Sequence, residues 1–511
     1  MKTNIYSVKT VKSFKPIESI CRKCICICLA VFILIGQPAY AASTADDEAN
    51  LQYLQGIVDM IRDQYQGSFT DKQLVEGAVD GMLNSLDDYT TYYTPEEADS
   101  FMGTITGAFG GIGVTMEPSG NYVLVTEVFT GSPAEKAGIL QGDKIIEADG
   151  KSLIKATTDQ AASLIRGEVG TVVKLGLLRN NSNIIKYVDV TRAVIKVNPV
   201  TFEIKNGIGC IKLEMFNENT DEFITAALAE MDRNGITKLI LDLRDNPGGE
   251  VGQAVAVAQK FVPKGLITRL DYKSEKYQDL EYRSNLEKQK YKLAVLVNGM
   301  SASASEIVSG AIQDTGAGKL IGTKTFGKAK FQGLLPILSP EAFLKYKQLY
   351  GVNILSGLDL QMYFGIIPSE DEIAGYTKMT LGLYYTPKGR MIDGTGLVPD
   401  IPAEDPKPVS GVYINIIRKL SNTTKPGLNF QGTDVYNAEM LLKALGYRIS
   451  MTDNTLDEQT VKAIREYQKK SGFGITGILD TRTQNALNSD LASLVSKHDN
   501  QYNAAVQYLN Q

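Results

Sequence analysis

Residues 295–307 read Val295-Leu296-Val297-Asn298-Gly299-Met300-Ser301-Ala302-Ser303-Ala304-Ser305-Glu306-Ile307. A β-branched apolar run fit for a buried strand stops at Asn-Gly, and small residues lead straight into a helical pattern. A strand-to-helix junction is therefore expected, the recurrent unit of an α/β domain. Such a junction presents a serine hydroxyl and unpaired backbone N–H groups at a helix N-terminus, where an oxyanion can be stabilised. Ser303-Ala304-Ser305-Glu306 also has capping-box spacing, and in that role the serine only satisfies an orphan N–H group. On these residues alone both readings stand.

The α/β pattern extends on either side. Lys238-Leu239-Ile240-Leu241-Asp242-Leu243 reads as a strand, Asp221 to Asn234 and Glu250 to Phe261 as helices, and Thr380 to Tyr385 as a further strand. Before this core, residues 103–195 are short Val, Ile and Thr runs broken by Gly, Asn and Ser, with one helix near Thr157 to Arg166. Residues 42–102 are mostly helical, with Leu51, Leu54, Val75 and Met82 at helical spacing and a proline-led helix starting at Thr94-Pro95. After the core (196–405) come a connection (406–431), a small all-helical domain (432–495) and a tail (496–511).

Composition limits the chemistry. The chain has 511 residues, 43% hydrophobic and 22% charged, with a single histidine. That residue, His498, lies in a polar stretch near the C-terminus, so zinc sites built from several histidines are excluded and a hydrolase needs another base. The net charge of −5 argues against nucleic acid as a partner, because phosphate recognition needs a positive field.

Residues 1–41 combine a basic region, the apolar run from Ile25 to Gly36 and an Ala39-Tyr40-Ala41 cleavage signal. They read as a secretory signal peptide, with an uncleaved membrane anchor as the other reading. Four of the five cysteines (Cys21, Cys24, Cys26, Cys28) fall in this leader. Only Cys210 remains beyond it, so an exported protein without an internal disulfide is expected, more acidic once the basic leader is gone.

Beyond the serine stretch stand Thr325-Phe326-Gly327-Lys328 and then Gln332. With SASASEI these resemble the C-terminal processing (tail-specific) serine peptidases. Leu86-Asp87-Asp88-Tyr89-Thr90, Asp242-Leu243-Arg244-Asp245-Asn246-Pro247-Gly248-Gly249 and Gly396-Leu397-Val398-Pro399-Asp400 are similar to further motifs of that family, in the same order. The resemblance implies a crotonase-like α/β core with Ser303 as nucleophile, Lys328 as general base and Gln332 orienting the lysine. A lysine base must be neutral, so burial has to lower its pKa from about 10.4. Lys324 and Lys330 are near neighbours that only the motif register separates from Lys328. Ala304 with Gly248 or Gly249 would form the oxyanion hole, although NPGG is also plain turn chemistry.

Phe109-Gly110-Gly111-Ile112-Gly113-Val114 and Gly131-Ser132-Pro133-Ala134 resemble a PDZ domain. The N–H groups of Ile112, Gly113 and Val114 would there receive a peptide's terminal carboxylate. Arg166, at the end of the PDZ helix, is either a link to the active site or a solvated surface cation. The C-terminal segment from Gly432 resembles a peptidoglycan-binding domain, with Asp453-Asn454 and Thr476-Gly477 as departures from its pattern. Two further departures are Ala329, where glycine is common, and an insertion of about forty residues at 339–376, expected to fold as an elaboration near the active site.

The resemblance thus implies an exported endopeptidase that acts on proteins or peptides with free C-termini, needs no cofactor or metal, contacts peptidoglycan and forms a homodimer. A catalytically silent PDZ/cell-wall scaffold is the alternative of another class, and a crotonase-type lyase the alternative among enzymes.

Overall fold

The structure is a computed structural model, which describes residues 45–129, 131–179 and 184–511. The leader, its four cysteines and the expected signal peptide lie outside the described residues. The chain divides into a unit ending at Ser85 and a unit from Leu86 to Gln511.

The first unit holds the helices Ala45–Gln64 and Asp71–Asn84. Thr70 and Gln73 close the second with a capping box, Gln73 N–H to Thr70 Oγ1 at 3.2 Å and Thr70 N–H to Gln73 Oε1 at 2.9 Å. Leu51, Leu54, Val75 and Met82 of the apolar stripes are exposed.

The helical region expected up to residue 102 is divided between the two units. Its last part contains a strand, Thr91–Tyr93, paired with the long strand Ile373–Tyr385, and the helix Pro95–Thr106. The TTYYT run is β-branched and aromatic, which favours a pleated surface over a helix.

At the centre is a six-stranded sheet in the order Val200–Lys205, Ile208–Leu213, Lys238–Asp242, Lys292–Val297, Lys319–Gly322, Ile401–Pro402, with every pair after the first parallel. Parallel strands are usually covered on both faces, and the central strands Lys238–Asp242 and Lys292–Val297 carry unbroken apolar runs, at residues 239–241 and 293–297. Leu239, Leu241, Leu293, Val295 and Leu320 face the helices Thr220–Arg233, Val251–Gln259 and Ala304–Thr315. The alternate residues Ile208, Ile240, Ala294, Leu296 and Ile321 pack on Ala505 and Leu509. Residues expected as a tail are therefore a helix, Asn500–Asn510, which covers the second face of the sheet.

A second, antiparallel sheet is built on Ile373–Tyr385, which pairs along one edge with Lys330–Leu338 and along the other with Thr91–Tyr93 and Gly265–Tyr272. The insertion 339–376 sits at the tip of the Lys330–Leu338/Ile373–Tyr385 hairpin as two helices, Pro340–Tyr350 and Gly357–Phe364, with their own core of Leu338, Ala342, Tyr346, Ile354 and Leu360.

The β-rich domain leaves and rejoins the core at one place. Val197 N–H donates to the Gly107 carbonyl at 2.7 Å, and buried Asn219 donates to the same carbonyl at 2.9 Å. Its sheet runs Val114–Ser119, Tyr122–Val128, Lys144–Ala148, Val172–Leu178, Ile185–Thr191, so Val114–Ser119 is an edge strand.

In the C-terminal domain, Thr433–Ala444, Glu458–Lys470 and Thr481–His498 share a core that also takes in Val412, Ile414, Ile417 and Leu420. The expected connection 406–431 is thus partly domain core, because its apolar residues have no other surface to bury against. Thr433–Ala444 also lies beside the edge strand Val114–Ser119.

Fully buried Asp143 is held by Arg179, Nε to Oδ1 at 2.6 Å and Nη2 to Oδ2 at 2.7 Å. Replacing Arg179 by alanine strands a buried carboxylate and is expected to cost the β-rich domain about 3 to 5 kcal/mol. Hydrogen exchange of strands 123–128 and 144–148 in Arg179→Ala measures this, and unchanged protection would contradict it.

Candidate active site

Three neighbouring parallel strands deliver the site. From the end of Lys238–Asp242 comes the glycine loop, from Lys292–Val297 the serine junction, and from Lys319–Gly322 the segment carrying Lys328. All three segments leave the carboxyl ends of the strands, where open α/β sheets bind ligands.

The three serines of SASAS have different surroundings. Ser301 is fully buried and its hydroxyl donates to the Leu243 carbonyl at 2.7 Å; Ser305 is equally buried and donates to the Asn246 carbonyl at 2.9 Å. Ser303, between them, is part-exposed, and its hydroxyl makes no capping bond. Its backbone is held at φ 54°, ψ −114°, a sparsely populated region for a non-glycine residue that points to a functional constraint. The cap is made otherwise: Glu306 N–H goes to the Ser303 carbonyl at 2.8 Å and Ser303 N–H to Glu306 Oε2 at 3.0 Å.

Glu306 was legible in the sequence only as a capping residue, and it does more. Its fully buried carboxylate accepts four donors: the Thr325 hydroxyl at 2.6 Å, Gly327 N–H at 2.7 Å, Lys328 N–H at 2.9 Å and Ser303 N–H at 3.0 Å. Burial raises its pKa against the pull of these bonds. A second tie is the buried Tyr384 hydroxyl, 3.0 Å from the Ser303 carbonyl and 2.5 Å from that of Lys328. One carboxylate and one phenol thus hold the serine and lysine segments together.

The lysines also separate. Lys324 is exposed, and Lys330 Nζ lies 3.9 Å from the Asp87 carboxylate. Lys328 is half-buried over the face of Tyr89, 4.3 Å from the ring centroid, with no hydrogen-bond or ion-pair partner for its amine among the described residues. Burial first, and the charge of Lys378 second, lower its pKa, while Asp87 and Glu306 oppose the shift. Asp87 accepts the N–H groups of Tyr89 at 2.9 Å and Thr90 at 2.8 Å, which fixes the ring beneath the lysine.

Gln332 follows a register shift between Phe331 and Gln332 and donates to the Thr380 hydroxyl at 3.2 Å rather than engaging Lys328. Ala329 is fully buried in the main core, so its methyl group fills space where glycine was expected. A cleft of about 300 Å³ beside the lysine is lined by Asp87, Tyr89, Phe326, Lys330 and Asp393, among others.

Gly248, at φ 106°, is pressed against the serine: a β-carbon there would lie 2.9 Å from Ser303 Cβ and 3.0 Å from Ala304 N. Its N–H donates to Asn246 Oδ1 at 2.9 Å. Gly249 is exposed, and neither its N–H nor that of Ala304 has an acceptor among the described residues.

In the β-rich domain, the Ile112 carbonyl accepts Ala134 N–H at 2.8 Å and the Gly113 carbonyl accepts Phe129 N–H at 3.0 Å. The N–H groups of Ile112 and Gly113 are without acceptors among the described residues. Val114 begins the edge strand opposite Val128. The Arg166 guanidinium stacks on Phe109, 4.3 Å from the ring centroid, at the entrance to this loop.

The chain is similar to known proteins over most of its length. The model for peptidase family S41 matches residues 207–403, a PDZ model residues 124–179, a peptidoglycan binding domain model residues 431–487, and a model of the N-terminal domain of the activating protease CtpB residues 36–98. The carboxy-terminal processing protease CtpA of Bacillus subtilis is 33% identical over 482 residues, 93% of both chains. A CtpA-like serine protease of Staphylococcus epidermidis is 30% identical over 457 residues, 89% of this chain and 84% of the relative. Among solved structures, the photosystem II D1 C-terminal processing protease shares 25% identity over 70% of this chain and 88% of its own, with a TM-score of 0.37. With the Bacillus relative matched along nearly its whole length, the chain belongs to the C-terminal processing serine peptidases of family S41 and carries a PDZ domain and a peptidoglycan-binding domain.

Proposed function

We propose that this peptidase is an exported endopeptidase that cleaves envelope or secreted proteins through a Ser303/Lys328 dyad. The observation that carries the reading is the single Glu306 carboxylate bonded to the N–H groups of both Ser303 and Lys328, beside a serine whose two neighbours have spent their hydroxyls. Neutral Lys328 takes the Ser303 proton as Oγ attacks the scissile carbonyl. The oxyanion is met by the N–H groups of Ala304 and Gly249, since Asn246 Oδ1 already takes that of Gly248. The protonated lysine then gives its proton to the leaving amine, and water, deprotonated by the lysine, hydrolyses the acyl-enzyme.

The Lys328 amine rests on Tyr89 and the Gln332 amide on Thr380. The active arrangement therefore needs both side chains to turn, with Gln332 then orienting the amine. A peptide added to the edge strand Val114–Ser119, its terminal carboxylate on the N–H groups of Ile112, Gly113 and Val114, is the trigger, and Arg166 on Phe109 is the link from that loop. The C-terminal domain contacts peptidoglycan. Pairing of the exposed stripes of the N-terminal helices joins two chains as a homodimer.

Incubation with unfolded casein tests the reading against a silent scaffold. Ser303→Ala and Lys328→Arg are expected to abolish cleavage, since arginine does not deprotonate, while Lys330→Ala retains it. An active Lys328→Arg enzyme would sink the assignment.

Because the base is the neutral amine, activity should rise with pH as Lys328 loses its proton, below the range of an ordinary lysine. Lys378→Met, which removes a repelling charge, should move that rise to higher pH, and Asp87→Asn to lower pH. A pH–kcat/KM series on the three proteins checks both signs. Amidating the C-terminus of a tail peptide should weaken its binding by about tenfold or more, as a charge-assisted bond set is lost; equal affinity by calorimetry would remove the carboxylate site.

A further inference from the structure

Arg244 belongs to the glycine loop yet points away from the serine. Its Nε and Nη2 donate to Asp242 at 2.9 and 2.6 Å, and its Nη1 to both oxygens of Asp499 at 2.8 and 2.9 Å, with Gln501 Oε1 at 3.3 Å. The side chains are 16% exposed for Arg244, 7% for Asp242 and 9% for Asp499, so solvent replaces little of this network if one member is lost.

Beyond Arg244 the loop is held at each step. Asp245 N–H goes to Asn298 Oδ1 at 3.0 Å, the Asn246 side chain to the Leu213 carbonyl at 2.8 Å, and Gly248 then meets Ser303. Arg244 is the anchor at the start of that series.

Asp499 stands at a junction of its own. It directly follows the helix Thr481–His498, whose Leu487 and Leu491 lie in the core of the C-terminal domain, and it caps the sheet-covering helix, with Tyr502 N–H to Oδ1 at 2.9 Å.

We propose that Asp499 is a positioning residue for peptide hydrolysis: through Arg244 it fixes the glycine loop against Ser303 and Ala304, so that the segment beyond the C-terminal domain completes the active site from behind. The proposal rests on Ser303 being the nucleophile. Asp499 touches no substrate; its effect is on how Gly248 packs against Ser303 and where the Gly249 N–H group stands when the oxyanion forms.

The test uses the protein from residue 42 to its last residue, as Asp499→Asn, Asp499→Glu, Arg244→Lys and Lys238→Ala. The last removes the exposed Lys238–Asn510 bond at the far end of the same helix. For Asp499→Asn, kcat on a tail peptide is expected to fall roughly 10- to 100-fold with KM within about twofold, the signature of a lost transition-state interaction. Arg244→Lys, which keeps the charge but loses the fork, should fall similarly, and Asp499→Glu should recover part of the loss.

Lys238→Ala should keep the starting kcat; a loss equal to that of Asp499→Asn would mean general loosening and overturn the proposal. Hydrogen exchange at residues 244–249, measured in a Ser303→Ala background, should quicken in Asp499→Asn. Unchanged exchange overturns the tether whatever the kinetics. Absence of Ser303-dependent cleavage in the starting protein would sink the nucleophile assignment instead, a result the exchange measurement keeps distinct.

Discussion

Two-sided burial of the parallel sheet is the constraint on which the rest depends. Strands such as Lys238–Asp242 and Lys292–Val297 offer apolar side chains to both faces, and neither face can be left in water. Three core helices cover one face and the helix Asn500–Asn510 the other. With the strands locked in this way, their carboxyl ends are fixed neighbours. The glycine loop, the serine junction and the lysine segment therefore meet although nearly ninety residues separate the first from the last.

Within that frame Glu306 performs at short range what the sheet performs at long range. A carboxylate accepting four donors gives the Ser303 and Lys328 segments a common reference point. Ser303 and Lys328 themselves are tied through their main-chain N–H groups, and Thr325 through its hydroxyl. The Lys328 amine, which rests on Tyr89, takes no part in the tie.

What the sequence reveals follows from how local each feature is. The junction at Ser303 was legible because strand, small residues and helix are contiguous, and the helix start at Thr94 because its cap is local. Which of three serines keeps its hydroxyl free was not, since the bonds of Ser301 and Ser305 reach back nearly sixty residues. The same holds for Tyr384, which looks like any strand tyrosine until its partners 81 and 56 residues away are known. The final helix hid behind its polar composition: Ala505 and Leu509, one turn apart, are its fully buried apolar contacts on the sheet, too sparse a stripe to stand out. Motif order, by contrast, gave the resemblance to the family before any geometry, because each motif is a short contiguous run of sequence.

The position of that helix in the chain also orders the protein's birth. The sheet strands are synthesised first, the C-terminal domain follows, and only then comes the segment that seals the sheet's second face. Until then Ile240, Leu296 and Ile321 lack their cover, and Arg244 has Asp242 alone as its carboxylate partner. The peptidase core is thus discontinuous in synthesis as well as in sequence, and a nascent chain carries an unfinished core until the helix Asn500–Asn510 has been made.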